Sequence, residues 1–238
     1  MRHYLGLIAI FVGGCLILMR LGLWQLDRAE QKRERHREFT TAFEQKPIAF
    51  DVIALGDAPA YTWRRTRVQG TFSKRLILLD NRTQHGRSGY DVLSPFETRT
   101  GRTLLVERGW IPLPPDRRTV PAISAPESVA TLEGYLGPEP VAGLAFNQAA
   151  GVMETLAPDI YRIQRLELDN LRATLGTDLW PTVLYLDAGM PGALAVERKL
   201  PGDGSAKHTA YAVQWFSMAA VLAAIGLWNL KRRQRKPS

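Results

Sequence analysis

Two long apolar stretches, one near each end of the chain, dominate the hydrophobic pattern. Residues 210–230 contain no Asp, Glu, Lys or Arg, and a stretch of this length is about what an α-helix needs to cross the hydrocarbon core of a bilayer. Near the N-terminus, an apolar run from Leu5 to Met19 is interrupted by Arg20 and continues to Trp24. The pattern predicts one transmembrane helix from about Tyr4 to Leu26 and a second over residues 210–230.

A secretory signal peptide is the alternative interpretation of the first stretch. A basic start and an apolar run of about 15 residues would fit it. The residues that follow the run, Arg20-Leu21-Gly22-Leu23-Trp24, lack the small-x-small pattern of a cleavage site. An uncleaved anchor is therefore favoured, with Arg20 extending to the membrane interface and Trp24 in the interfacial aromatic belt.

Between the two apolar stretches, a highly charged segment comes first, and short runs of alternating or continuous apolar residues follow. From Asp27 to Phe43, charges of both signs predict a solvated helical extension, which Lys46-Pro47 ends. Beyond it, one short helix from Leu168 to Leu175 is closed by Gly176. Short alternating or apolar runs predict strands at residues 61–72, 76–80, 90–96, 103–110, 128–136, 160–166, 182–187 and 194–196.

These elements define a fold class and a division of the chain. Strands without regular βαβ alternation predict an antiparallel sheet or a small barrel. The sequence therefore predicts a membrane protein with two transmembrane α-helices flanking an external α+β domain, with a mainly antiparallel sheet or small barrel. Its segments are residues 1–26 (cytoplasmic start and first helix), 27–209 (external domain), 210–230 (second helix) and 231–238 (basic cytoplasmic tail).

The net charge of +8 indicates membrane topology rather than nucleic-acid binding. All 23 acidic residues lie between Asp27 and Asp203, and residues 27–209 contain 24 basic residues, so no domain carries a large basic excess. Five basic residues follow the second helix and Arg2 precedes the first, which places both termini in the cytoplasm. No transit segment precedes the first helix. We therefore expect a multi-pass protein of a bacterial inner membrane with a periplasmic central domain.

Patterns that carry enzyme chemistry are missing from the sequence. It contains no H-E-x-x-H, G-x-S-x-G or G-x-G-x-x-G pattern, and Gly202–Lys207 lacks the ending of a phosphate loop, which favours a linker. The single cysteine, Cys15, rules out a disulfide within the chain. His36, His85 and His208 have no metal-ligand spacing, although a three-histidine site stays open. A membrane-anchored hydrolase is a weak hypothesis, since no nucleophile–base pair stands out.

Two glycine-containing segments of the external domain have structural interpretations. Arg108-Gly109-Trp110 predicts a strand end at which Gly109 allows a bulge and Trp110 fills the core; the alternative is that Trp110 faces a protein partner. Gly86 and Gly89 are expected to serve turn geometry.

A histidine lies two residues before the second apolar stretch and begins a stripe on that predicted helix. At 100° per residue the stripe is about 80° wide, and its members are His208, Tyr211, Trp215, Met218 and Leu222. This stripe is the sequence feature with the most chemical content.

The first helix contributes to the same membrane surface, because the two predicted helices are antiparallel. Its Trp24, Gln25 and Arg28 lie at that end. An imidazole, aromatic planes and a cation suit a flat, apolar, anionic macrocycle such as haem: His208 could ligate the iron and Arg28 could pair with a propionate. The alternative is that the aromatic residues form an ordinary interfacial belt and that His208 faces water.

The chain resembles the surfeit locus protein 1 family, membrane proteins that assist the assembly of haem-copper cytochrome c oxidase. Together with the helix–domain–helix layout, four separated motifs carry the resemblance: Leu21-Gly22-Leu23-Trp24-Gln25-Leu26-Asp27-Arg28 with Lys32; Gly86-Arg87-Ser88-Gly89-Tyr90-Asp91-Val92 with Pro95-Phe96; Val106-Glu107-Arg108-Gly109-Trp110-Ile111-Pro112; and His208-x-x-Tyr211-Ala212-x-Gln214-Trp215-Phe216.

This resemblance implies a non-enzymatic assembly factor that binds haem a, with His208 as the iron ligand. The cofactor-binding candidates are His208, Tyr211, Trp215, Trp24, Gln25 and Arg28. The expected partners are cytochrome c oxidase subunit I or haem a synthase, and membrane lipid, but no nucleic acid. A rival hypothesis is a membrane-anchored scaffold for oxidase subunits that holds no cofactor.

Overall fold

The computed structural model divides the chain into two compact units, one of residues 1–39 and 199–238 and one of residues 40–198. It describes residues 2–117, 119–123, 126–140, 153–196 and 204–234. The end of the predicted basic tail and part of the linker Gly202–Lys207 lie outside the described residues.

Three α-helices occur in the described residues: α1 (Arg2–Glu44), α2 (Leu168–Leu175) and α3 (Ser205–Gln234). Both α1 and α3 are long and apolar enough to cross a membrane, and only 6 % and 11 % of their apolar windows is buried. Neither is therefore the core helix of a soluble domain, and the chain is a membrane protein. The charged extension is confirmed as helix, because α1 continues without a break to Glu44.

Nine strands form one sheet: β1 (Ile48–Ala49), β2 (Arg65–Phe72), β3 (Leu76–Gln84), β4 (Arg87–Thr98), β5 (Thr103–Pro112), β6 (Ala130–Gly137), β7 (Glu154–Ala157), β8 (Ile160–Ile163) and β9 (Leu179–Leu186). Their order is β1-β2-β6-β9-β5-β4-β3-β8-β7, and β2 also pairs with β4. The strands β2, β6, β9, β5 and β4 therefore close into a five-stranded barrel. Most pairings are antiparallel; β1–β2, β3–β8 and β5–β9 are parallel. The predicted fold class is confirmed.

Two of the strand predictions were wrong in detail. The strand predicted from residue 61 begins only at Arg65, and Tyr61 belongs to a 3-10 helix (Leu55–Tyr61); residues 194–196 form only an isolated bridge at Ala195. Strands β3 and β4 also extend beyond their predicted ends and leave a two-residue turn between them. His85 and Gly86 have positive φ at that turn, as a tight hairpin requires.

Side chains that alternate along the barrel strands fill its interior. Leu104 and Val106 of β5 lie inside with Phe96, Leu132 and Leu184, and all are fully buried. On the outer face, a second core packs beneath α2, whose apolar stripe is Leu168, Leu171 and Leu175. Gly176 ends α2 in the left-handed conformation, as predicted.

The Arg108-Gly109-Trp110 segment contains the predicted bulge, but the core prediction for Trp110 was wrong. The register between β4 and β5 shifts at this point, and Gly109 has a φ of +119°. Arg108 points inward in phase with Leu104 and Val106; it is 1 % exposed and its Nε donates to the Gly192 carbonyl at 2.8 Å. The extra residue at the bulge takes Trp110 out of this alternation. Trp110 is only half-buried, and its ring lies against Gly89, where a Cβ would be 2.4 Å from it. Gly89 therefore serves this close approach rather than a turn.

Glu107 is a half-buried carboxyl group on the outer face of the barrel. Its strand neighbours are Tyr185 and Leu93, and the Gly109 N–H donates to its Oε1 at 3.0 Å. Burial and the nearby Asp91 carboxylate raise the pKa of Glu107 to about 8, against weaker opposing effects of the Gly109 hydrogen bond and the Arg82 guanidinium. The folded domain therefore holds a proton on Glu107 at neutral pH.

We expect Glu107→Gln to remove part of the pH dependence of the free energy of unfolding. Because the pKa of Glu107 is higher in the folded state (about 8) than its usual value of 4.5, wild-type stability falls as pH rises between these values. At about 1.4 kcal/mol per pKa unit, the loss is roughly 4 kcal/mol. Chemical unfolding of the purified chain between pH 5 and about 8.5 measures it.

The matched control is Glu97→Gln, since Glu97 is exposed on the neighbouring strand β4. This control should retain the wild-type pH dependence, whereas Glu107→Gln should be more stable than wild type at pH 8. Equal pH slopes in all three proteins would contradict the proton on Glu107.

Candidate functional site

The two long helices pack against each other as an antiparallel pair within one compact unit. A Cβ on Gly22 would lie 2.5 Å from the Phe216 ring, and one on Gly14 would lie 2.9 Å from Leu222. Farther along, the Cys15 Sγ lies 3.8 Å from the Ala219 carbonyl oxygen. Small residues therefore allow close backbone approach, as is usual where helices meet inside a membrane. These contact residues define the helix seam.

The helix seam brings His208 and Gln25 together. The Nδ1 of His208 lies 2.7 Å from the Gln25 Oε1, and both residues are half-buried. The sequence analysis placed both residues at one membrane surface, but their direct hydrogen bond was not predicted. Within the described residues, the other ring nitrogen of His208, Nε2, makes no hydrogen bond.

The four remaining candidate residues share one face of the helix pair. Viewed along α1 at 100° per residue, Trp24 and Arg28 lie to one side of the helix seam. On α3, Tyr211 and Trp215 also lie to one side of the helix seam. Given the antiparallel arrangement of the helices, this is the side of the helix pair on which Trp24 and Arg28 lie.

The opposite face of the helix pair carries different contacts. There, the Arg33 Nη2 donates to the Thr209 hydroxyl at 3.0 Å. We call the face with Trp24, Arg28, Tyr211 and Trp215 the aromatic face. Its two most open aromatic side chains are Trp24, 48 % exposed, and Tyr211, 53 % exposed.

Arg28 is the cation of the aromatic face. Its guanidinium lies 5.7 Å from the centre of the Trp24 ring, and its Nη1 donates to the Gln31 Oε1 at 3.0 Å. Among the described residues Arg28 forms no ion pair, so its charge is available to an anion. Among the predicted site residues, a hydrogen bond thus joins His208 to Gln25 and a cation–π contact joins Arg28 to Trp24, while Tyr211 and Trp215 lie on the same face.

The helix pair also contains a groove that sequence reasoning did not predict. It measures about 540 Å³ and lies in the half of the pair away from His208. Its walls are apolar and include Val12, Leu16, Ala223 and Leu227, which lie on the face opposite to the aromatic face. Only the contact geometry of two helices could reveal it, because no single helix shows a signal for such a groove.

A three-histidine metal site gains no support from the structure. In the parts of the chain that the structure describes, no group of three or more His, Cys, Asp or Glu side chains could hold a metal ion. An axial position on a macrocycle needs only one imidazole from the protein. His208 fits this arrangement better than it fits a metal site made of protein side chains alone.

Comparisons with known proteins are consistent with this layout. The model of the SURF1 family matches residues 13–220. A SURF1-like protein of Mycobacterium tuberculosis is 24 % identical over 212 residues, which cover 87 % of this chain and 75 % of that protein. One of Monosiga brevicollis is 23 % identical over 236 residues, covering 92 % and 85 %. One of Dictyostelium discoideum is 30 % identical over 104 residues, covering 40 % and 38 %.

We expect Gly22→Val to weaken the helix seam. The new side chain would overlap the Phe216 ring, and overpacking typically costs about 1–3 kcal/mol. The melting temperature of the protein in detergent should fall. Gly13→Val is the control, because a Cβ on Gly13 meets no atom within 4 Å. Equal melting temperatures for the two variants would show that Gly22 does not form the contact.

Proposed function

The chain belongs to the SURF1 family, and from this premise we propose that it binds haem a through His208 during assembly of haem-copper cytochrome c oxidase. Membership of this family implies a role in cytochrome oxidase assembly. The finer proposal is that haem a is the cargo, held at the aromatic face and passed to, or stabilised in, the haem-receiving subunit. The protein would act without catalysing a reaction.

The observation that carries this proposal is the His208–Gln25 hydrogen bond. It occupies one ring nitrogen of His208 at 2.7 Å and leaves Nε2 without a partner in the described residues. A neutral imidazole nitrogen of this kind is a common axial ligand of haem iron. The residues present therefore fit the expected cargo.

The surroundings of His208 support the same cargo. Trp24, Tyr211 and Trp215 offer aromatic surface to a flat, apolar ring. Arg28, which forms no ion pair in the described parts of the chain, offers its charge to a propionate carboxylate, and a lipid phosphate is the other anion that it could bind. The four side chains share the aromatic face, so one ligand could contact several of them together.

A location and partners follow as part of the proposal. The basic residues that follow the apolar stretch of α3 favour a cytoplasmic C-terminus, and two spans would place the N-terminus on the same side. His208 and the sheet domain would then face the periplasm of a bacterial cell. Oxidase subunit I, as the haem-receiving subunit, and haem a synthase, as the source of the cargo, are the proposed protein partners.

Fusions to alkaline phosphatase, which is active only outside the cytoplasm, should test this topology. Fusion after Gly101, in the exposed turn between β4 and β5, should be active because the domain is external. Fusion to the end of the complete chain should be inactive. An active C-terminal fusion would contradict both the positive-inside assignment and the periplasmic position of His208.

The second candidate function is a scaffold that docks on oxidase subunits without binding haem. The apolar groove favours it, since a groove between membrane helices could receive another helix. Such a scaffold would not need His208 Nε2 to be free. The two functions therefore predict different effects of a His208 substitution on the haem content of the purified protein.

We expect His208→Ala to remove haem a from the purified protein or to change its absorption spectrum. Abundance and membrane insertion should stay at the wild-type level, because His208 lies near the start of α3, before its apolar stretch. The control is His36→Ala, an exposed histidine on the charged part of α1. A His208→Ala protein that keeps the haem content and spectrum of the wild type would show that His208 is not the ligand. Wild-type oxidase assembly by a haem-free His208→Ala protein would favour the scaffold.

A further inference from the structure

We infer that Gln25 is a positioning residue, which fixes the tautomer of His208 and directs the Nε2 lone pair to a ligand. The tautomer itself can be measured without any ligand. The consequence for iron binding rests on the proposed function.

The contact is built into the helix seam rather than made by two mobile side chains. Gly22, which packs on Phe216, lies one turn before Gln25, and Ala29, which is 0 % exposed, lies one turn after it. On α3, Ala212 is 1 % exposed and lies one turn beyond His208. Both backbones are thus held close on either side of the 2.7 Å hydrogen bond.

The chemistry of the two groups determines where the ring proton lies. The amide oxygen of Gln25 can only accept a hydrogen bond, so the Nδ1 of His208 must donate. In the neutral ring, Nε2 then carries the lone pair. An imidazole whose other nitrogen is held by an acceptor is the usual arrangement of a histidine that ligates a metal.

Gln25 also differs from a carboxylate, which is a common partner of ligating histidines. A carboxylate would orient the ring and also make the imidazole a stronger donor to iron. The neutral amide orients the ring without adding negative charge. An imidazole that is oriented but not strengthened as a donor favours reversible binding of the cargo. This is in keeping with a carrier rather than with a protein that has a resident haem.

The first test is ¹⁵N NMR of histidine in the full chain, in detergent and without haem. The His208 signals, identified by their loss in His208→Ala, should show a proton on Nδ1 and a bare Nε2 in the wild type. Gln25→Leu removes the acceptor and should give a mixture of the two tautomers. Gln214→Leu is the matched control, because Gln214 is an exposed glutamine on α3, and it should leave the wild-type signals unchanged. A proton on Nε2 in the wild type, or a Gln25→Leu spectrum identical to the wild type, would overturn the inference.

The second test is the rate at which haem a leaves the protein for a soluble apo-haem protein. Gln25→Glu should slow this transfer about tenfold, the scale on which partners of metal ligands act, and should lower the reduction potential of the bound haem. Transfer at the wild-type rate with an unchanged potential would overturn the carrier argument. If the wild type binds no haem a at all, the proposed function fails, while the NMR result still decides the role of Gln25.

Discussion

A hydrogen bond between two packed helices is fixed in place when small residues let the backbones approach closely on both sides of it. The His208–Gln25 contact is of this kind, and the candidate site depends on it. The helix seam brings the two side chains within 2.7 Å, and the hydrogen bond occupies Nδ1. The aromatic residues and Arg28 lie on one face of the same helix pair. Without close packing at Gly22 and Gly14, neither the hydrogen bond nor the shared face would be defined.

The sheet domain has a separate organisation. Its barrel is closed by the β2–β4 pairing, and its mostly apolar interior also holds the buried Arg108. A buried guanidinium is costly unless its donors are satisfied, and here Nε donates to the Gly192 carbonyl while Nη1 donates to the Ser94 hydroxyl at 3.3 Å. This arrangement ties the loop after β9 to the barrel. Arg108 thus has a structural role that its sequence motif did not reveal.

Sequence reasoning predicted the features that depend on local patterns. The apolar stretches, the charged helical extension and the end of α2 at Gly176 follow from composition and periodicity, and the structure has them. It failed where a distant contact decides the outcome. Trp110 looked like a core residue because large aromatic side chains usually are, but the register shift before Gly109 takes Trp110 out of the alternation that places Arg108 inside. Gly89 looked like a turn residue, but the Trp110 ring requires the absence of a Cβ there.

The candidate site was likewise only partly predictable from the sequence. The sequence analysis placed His208 and Gln25 at one surface because antiparallel spans must bring those ends together. It could not predict that Gln25 occupies Nδ1, because the rotation of each helix about its own axis depends on packing at Gly22 and Phe216. The four residues of the aromatic face were candidates from the start, and the helix seam supplies the reason that they share a face. The groove on the opposite face was not predicted for the same reason.

The most direct test of the account is the absorption spectrum of the wild-type protein, purified from cells that make haem a and from cells that do not. The account predicts a haem a spectrum in the first preparation, which responds to reduction, and a colourless but folded protein in the second. A colourless protein from both kinds of cell, still purifying together with oxidase subunits, would contradict a haem a carrier and leave the scaffold as the better description.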